Sequence, residues 1–264
     1  MKLSISNIAW PEEKDLEMYA LLRQMNYSGL EIAPTRLFPS APYSHADDVR
    51  AWAARLKENY GLSVPSMQSI WFGRTERLFY SRQEYETLLS YTMRAVDFAA
   101  AAGCGSLVFG CPRNRYFPAG ADPAAGVKFF HEIGEYARSR GTVIALEANP
   151  VIYGTNYITD TRQALDLIAQ VQSDGLRLNL DVGTMLYNNE DISELRGCVP
   201  LISHVHISEP GLEPVRERPL HRQLYELLAA ENYSSFISIE MKRCDSIPLI
   251  REKMAYLARV FRSD

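Results

Sequence analysis

Short runs of apolar and β-branched residues alternate along the chain with longer amphipathic stretches. The short runs are 2–9 (KLSISNIA), 29–33 (GLEIA), 62–69 (LSVPSMQS), 106–110 (SLVFG), 142–148 (TVIALEA), 176–182 (LRLNLDV), 201–208 (LISHVHIS) and 235–241 (SFISIEM). The amphipathic stretches lie near 12–26, 46–59, 81–102, 122–140, 160–172, 190–197, 219–230 and 246–262. The first set predicts strands and the second predicts helices. Strands that alternate with helices imply parallel βαβ units, and eight such units predict an α/β protein built as a (β/α)8 TIM barrel. A doubly wound open sheet is the main competitor. Its sign is a glycine-rich phosphate loop after the first strand, and here that segment reads NIAWPEE, with no glycine.

Boundary residues support the same division. Pro11 with Glu12, Glu13 and Asp15 suits a first helical turn, where the macrodipole favours negative charge. Gly61, Gly103 and Gly141 follow candidate helix ends, and Thr159 or Asp160 can cap the helix after them. The length of 264 residues is close to the roughly 250 typical of such a barrel. With 47% hydrophobic residues a large core is available, and no linker or low-complexity run breaks the chain, so 1–264 is expected to be one domain.

Composition narrows the function classes. The net charge of −4 argues against a nucleic-acid partner, which a basic face would serve. Arg113, Arg115, Arg216, Arg218 and Arg222 can still form a local patch beside a small anion. Cys104, Cys111, Cys198 and Cys244 show no CxxC or metal-ribbon spacing and read as buried or bystander thiols in a reducing compartment. MKLSISNIAWPEE lacks the pattern of a signal peptide, and no stretch approaches the ~20 apolar residues of a membrane span. A soluble cytoplasmic protein with no membrane partner is expected; a homo-oligomer is compatible with the sequence.

In such barrels the working residues sit at the C-terminal ends of the strands. The last inward-facing polar residues of strands five to eight are Glu147 (LEANP), Asp181 (LNLDVG), His206 (HVHISE) and Glu240 (SIEMK). Strand side chains alternate faces, so Ala145 shares a face with Glu147, Asn179 with Asp181, His204 with His206 and Ser238 with Glu240. All four end residues can point into the mouth together. Three carboxylates and an imidazole form a hard donor set suited to Mn²⁺, Mg²⁺ or Co²⁺, with Zn²⁺ also accommodated. Each residue taken alone fits a structural ion pair equally well; four at one level on successive strands do not. His204, one layer deeper, reads as a core histidine or a support for the ligands, while His45 and His131 read as surface residues and His221 as a helix cap.

LEANP, LNLDVG, HVHISEP and SIEMK, in that order and with GLEIAP at strand two, resemble the xylose isomerase-like TIM-barrel superfamily of sugar phosphate isomerases and epimerases. The resemblance implies Glu147, Asp181, His206 and Glu240 as metal ligands, with Glu147 and Glu240 as the acid/base pair. Many members carry histidine three residues after the strand-six aspartate. Here that position is Thr184, which argues against the trinuclear zinc site of the endonuclease branch.

The residue chemistry leads to the same expectation. A metal-chelated hydroxycarbonyl substrate loses a C–H proton to one glutamate, giving a metal-bound enediolate. Return of a proton to the opposite face epimerises the carbon, and return to its neighbour isomerises the substrate. Loss of a β-hydroxyl would make the protein a dehydratase or lyase. An abasic-site endonuclease and a non-catalytic sugar-binding barrel are weaker alternatives. Glu31, His204, Arg113, Arg115 and Arg216 are candidate substrate-binding residues. Trp10, Phe38, Trp71, Phe72, Tyr116 and Tyr153 are candidate walls of the mouth.

Overall fold

In the computed structural model, which describes residues 1–262, seven parallel strands form one sheet. They are β1 (Lys2–Ile5), β2 (Ser66–Met67), β3 (Ser106–Phe109), β4 (Val143–Glu147), β5 (Leu176–Asp181), β6 (Ile202–Ile207) and β7 (Phe236–Ile239). Their order is β1-β7-β6-β5-β4-β3-β2. The gap between β1 and β2 is filled by 29–32, which bridges Ser6 through Glu31, Ser63 through Gly29 and Met67 through Ile32. Glu31 N donates to Ile5 O at 3.0 Å, and Ile32 N donates to Ser66 O at 3.2 Å, so this eighth stave joins both edges into a ring. It forms bridges rather than a continuous strand. Pro65, between Ser63 and Ser66, has no N–H to give the ladder.

The helices are α1 (Asp15–Gln24), α2 (Pro34–Leu37), α3 (Ala46–Tyr60), α4 (Arg82–Ala102), α5 (Pro123–Ser139), α6 (Thr161–Val171), α7 (Val182–Asn188), α8 (Pro219–Ala230) and α9 (Ile247–Phe261). Side chains of Ser81, Asp122, Asp160 and Ser246 accept first-turn N–H groups of α4, α5, α6 and α9. Gly61 and Gly103, at φ +72° and +68°, end α3 and α4 in the left-handed region. The helix expected near 190–197 is displaced. Asp181 caps a helix that starts at the very end of β5, Asn189 ends it at φ +56°, and 192–195 makes only a 3-10 turn. Among the described residues no helix is long and apolar enough to cross a membrane.

Between the sheet and the helices packs an aromatic cluster of Trp71, Phe109, Phe129 and Phe130, with neighbouring ring centroids 4.7 to 6.1 Å apart. The Trp71 indole donates to Thr92 Oγ1 at 2.9 Å, and Trp10 is likewise buried, donating to Asp15. The barrel interior is unusually polar: Ser4, Glu31, Ser66, Asn179, His204, His206 and Ser238 are all at most 1% exposed. So many buried polar groups are costly unless partnered; the contacts of Glu31, Ser66, Asn179, His204 and His206 build the site, while Ser238 Oγ finds no partner among the described residues.

Candidate metal centre

Strand register sets Glu147 beside Asn179, Asp181 beside His206, and His206 beside Ser238, with Glu240 two residues beyond on the same face. Glu147, Asp181, His206 and Glu240 each offer a ligand atom within 4.8 Å of the others, and all four are buried. His206 Nδ1 lies 3.0 Å from Glu147 Oε1 and 3.2 Å from Glu240 Oε2.

Two of the three acids are held from behind. Asn179 Nδ2 donates to Glu147 Oε1 at 2.7 Å, and Asn149 Nδ2 donates to Glu147 Oε2 at 2.8 Å. Asp181 Oδ2 accepts from Thr184 N at 2.9 Å and from Thr184 Oγ1 at 2.8 Å, while Ser208 Oγ donates to its other oxygen. Thr184 thus serves as the capping partner of a candidate ligand.

Electrostatics show what the set lacks. Burial, with repulsion from Glu147 and Asp181, outweighs the opposing pull of His206 and lifts Glu240 to about 7. Burial and Glu147 also raise Asp181. Burial disfavours a charged His206, yet Glu31 and Glu240 outweigh it and hold the imidazole well above its ordinary value. Three buried carboxylates face one imidazole, a surplus of negative charge that a divalent cation would neutralise. Buried carboxylate and imidazole donors at this spacing could hold a divalent metal ion.

Glu147, Asp181 and Glu240 open onto a cavity of about 180 Å³, whose wall includes Gln68, Gly110, Asn149, Tyr153 and Leu212. None of the five residues expected to bind substrate lines it. Glu31 and His204 lie sealed beneath. Arg113 and Arg216 are exposed, and no described residue pairs with either guanidinium. Arg115, expected on the rim, is fully buried and spends its guanidinium on the carbonyls of Glu147 and Ile158 and on Asn149. Nor do the other arginines form an anion patch, for Arg218 pairs with Glu209 and Arg222 with Glu226. Of the six mouth aromatics only Tyr153 lines the cavity. Trp10 and Trp71 are core, Phe38 stacks on His45, and Phe72 and Tyr116 face solvent. His221 is not a cap; it is buried in α8 and pairs with the Tyr256 hydroxyl at 2.8 Å.

Asn149, Asn179 and Ser208 carry supporting roles, and Gln68 a place in the cavity wall, that residue type alone does not flag. The alternation rule that found Glu147 also reaches Asn149 and Asn179, both spaced by two residues from a candidate ligand.

Known structures share the whole architecture. The apo 3-keto-D-glucoside 4-epimerase YcjR of E. coli superposes with a TM-score of 0.76 at 21% identity, covering 98% of this chain and 99% of that one. The D-psicose 3-epimerase of Clostridium cellulolyticum H10, with D-tagatose, gives 0.79 at 14% identity over 100% of both chains. The IOLI protein with a zinc atom bound gives 0.75 at 16% identity, also over 100% of both. No curated protein matches by sequence. The sequence profile of the xylose isomerase-like TIM barrel matches residues 19–260, and the chain belongs to that family.

Proposed function

We propose that the protein is a divalent-metal-dependent isomerase or epimerase of a small sugar, ketose or polyol-derived substrate. The carrying observation is that Glu147 and Glu240 flank one imidazole nitrogen, at 3.0 and 3.2 Å, and both line the same cavity. Glu147, Asp181, His206 and Glu240 would hold a divalent ion, which would supply Lewis-acid polarisation of a substrate carbonyl and so acidify the neighbouring C–H.

The chain's own residues then move the proton. One glutamate accepts it and the other delivers one to the opposite face, which inverts the carbon. Asn149 and Asn179 grip both Glu147 oxygens and so fix the direction from which it acts. Asp181, tied down by Thr184 and Ser208, keeps its place while its neighbours exchange protons. Polar contacts to substrate fall to cavity residues such as Gln68, Ser69 and Tyr153. Similarity to a 3-keto-D-glucoside 4-epimerase and a D-psicose 3-epimerase favours epimerisation within this reading.

The test is a deuterium wash-in screen of purified protein with Mn²⁺, over free and phosphorylated ketoses in D₂O. Label at one carbon with inversion identifies an epimerase, label with carbonyl migration an isomerase, and loss of water a dehydratase. Glu147→Gln and Glu240→Gln should each lower exchange by ~10²–10⁴-fold with Mn²⁺ still bound. Normal exchange in either variant would remove that glutamate from the mechanism.

A further inference from the structure

Directly beneath the candidate ligands, one carboxylate oxygen faces three polar partners. Glu31 Oε2 lies 2.9 Å from His206 Nε2, 3.0 Å from His204 Nε2 and 2.6 Å from Ser66 Oγ. Glu31, His206 and Ser66 are 0% exposed and His204 is 1% exposed. None of the four lines the cavity, so a contact with substrate there is not their role.

The two nitrogens of His206 look in opposite directions. Nε2 faces Glu31, and Nδ1 faces Glu147 and Glu240. An ionised carboxylate only accepts hydrogen bonds, so the Nε2 that it holds must carry a proton. Glu31 Oε2 meets three potential donors at 2.6 to 3.0 Å, the arrangement of an ionised carboxylate that accepts from each. In the neutral ring the lone pair then sits on Nδ1, on the side of the metal centre. A carboxylate behind the histidine fixes both tautomer and ring direction and raises the basicity of the ligating nitrogen.

We propose that Glu31 is a positioning residue of the metal centre, which holds His206 with Nε2–H toward itself and Nδ1 toward the cation. His204 and Ser66 in turn hold Glu31, for both reach the same oxygen. The inference rests on the metal-centre reading above. The buried Glu31–His204–His206 triad also meets the spacing of a cation site in its own right. The cavity does not reach it, however, and Glu31 Oε2 already holds Ser66, His204 and His206 at hydrogen-bond distance, while Oε1 is buried without a partner.

The experiment is a Mn²⁺ titration of the full chain, stripped with chelator, for wild type, Glu31→Gln and Glu31→Ala, with folding checked by circular dichroism. It is paired with ¹H NMR of the imidazole Nε2–H in the Zn²⁺-loaded protein. Expected are a 10–100-fold loss of Mn²⁺ affinity in Glu31→Ala and a smaller loss in Glu31→Gln, which keeps an acceptor oxygen. The His206 Nε2–H resonance should also move upfield in Glu31→Gln as the charged acceptor is lost. Should Glu31→Ala fail to fold, the near-isosteric Glu31→Gln still decides. Equal affinity in Glu31→Gln and wild type, with an unmoved resonance, overturns the inference and leaves the metal centre standing. Two Mn²⁺ per wild-type chain falling to one in the variant would also overturn it, in favour of a second cation site. A wild type that binds neither Mn²⁺ nor Zn²⁺ removes the metal-centre reading and this inference with it.

Discussion

Arg115 stands behind Glu147: its Nη1 donates to the Glu147 carbonyl oxygen at 2.8 Å, and Nη2 donates to Asn149 Oδ1 at 3.0 Å. Asn149 closes the link by donating from Nδ2 to Glu147 Oε2. A guanidinium only donates and a carboxylate only accepts, so the Asn149 amide can face one way alone. Burial lowers the Arg115 guanidinium to about 10, still well above neutral pH, so it remains a fixed cation.

Asn149→Ala therefore releases one oxygen of Glu147 and takes an acceptor from Arg115. Because Arg115 Nη2 keeps the Ile158 carbonyl at 3.2 Å, the fold should survive with a loss of about 1–3 kcal/mol. Removing an outer support of this kind typically costs 10–100-fold in metal affinity or activity. Urea unfolding and deuterium exchange on the same samples separate the two effects. A variant that lost stability but exchanged at the wild-type rate would make Asn149 a packing residue only.

Gly110 offers a sharper steric probe. A methyl group built there would lie 2.7 Å from Glu147 Oε2 and 3.1 Å from Asn149 Oδ1. The atoms in its way are side-chain ends, so Gly110→Ala should shift the carboxylate and leave the backbone nearly untouched. A misplacement of about 1 Å at a reacting group can cost 10²-fold. We expect a melting temperature within a few degrees of wild type and an exchange rate lower by roughly 10–100-fold. Unchanged exchange would mean that Glu147 works from the side facing away from Gly110.

The fold and the four candidate ligands were legible because both rest on periodicity. Eight apolar runs separated by amphipathic stretches count out the barrel, and the last inward polar residue of each later strand marks its mouth. Arg115 was not legible. Its burial depends on carbonyls contributed by 109, 147 and 158, which only the folded chain brings to one point. The helix after β5 escapes the periodicity because VGTMLYN lacks an amphipathic repeat; what starts it is the side chain of Asp181, which is also a candidate ligand. Trp10 and Trp71 follow strand ends and so read as mouth residues, but their indoles find partners in Asp15 and Thr92 inside the core.

A bound cation should stabilise the protein. A ligand that binds only the folded state at 100 times its Kd contributes about 2.7 kcal/mol. For a chain of this size that raises the melting midpoint by roughly 5–10 °C. Mn²⁺ should give this shift and EDTA should reverse it. Asp181→Asn, which keeps one acceptor oxygen, for Thr184 or for Ser208 but not for both, and loses the charge, should lose most of the shift. Equal shifts in Asp181→Asn and wild type would exclude Asp181 as a ligand.

Acid sensitivity is expected from His221, away from the metal centre. Its Nδ1 pairs with the Tyr256 hydroxyl, its Nε2 is buried without a partner, and the ring is 0% exposed. Burial lowers its pKa to about 4; Glu209 opposes that shift and Arg218 adds to it. In the unfolded chain the ordinary value is about 6.5. Above that pH both states are neutral and the full stability is present. As pH falls from about 6.5 toward 4, the unfolded chain takes up a proton that the folded ring refuses, so stability declines. The limiting loss is about 3 kcal/mol, from 1.36 kcal/mol per pKa unit. His221→Asn keeps a polar atom near the Nδ1 position for Tyr256 and cannot titrate. Urea unfolding from pH 7 to 4 should therefore show a shallower decline in the variant, by up to that amount. Parallel curves for the two proteins would show that His221 protonates as readily in the folded chain as in the unfolded one, and that the acid sensitivity lies elsewhere.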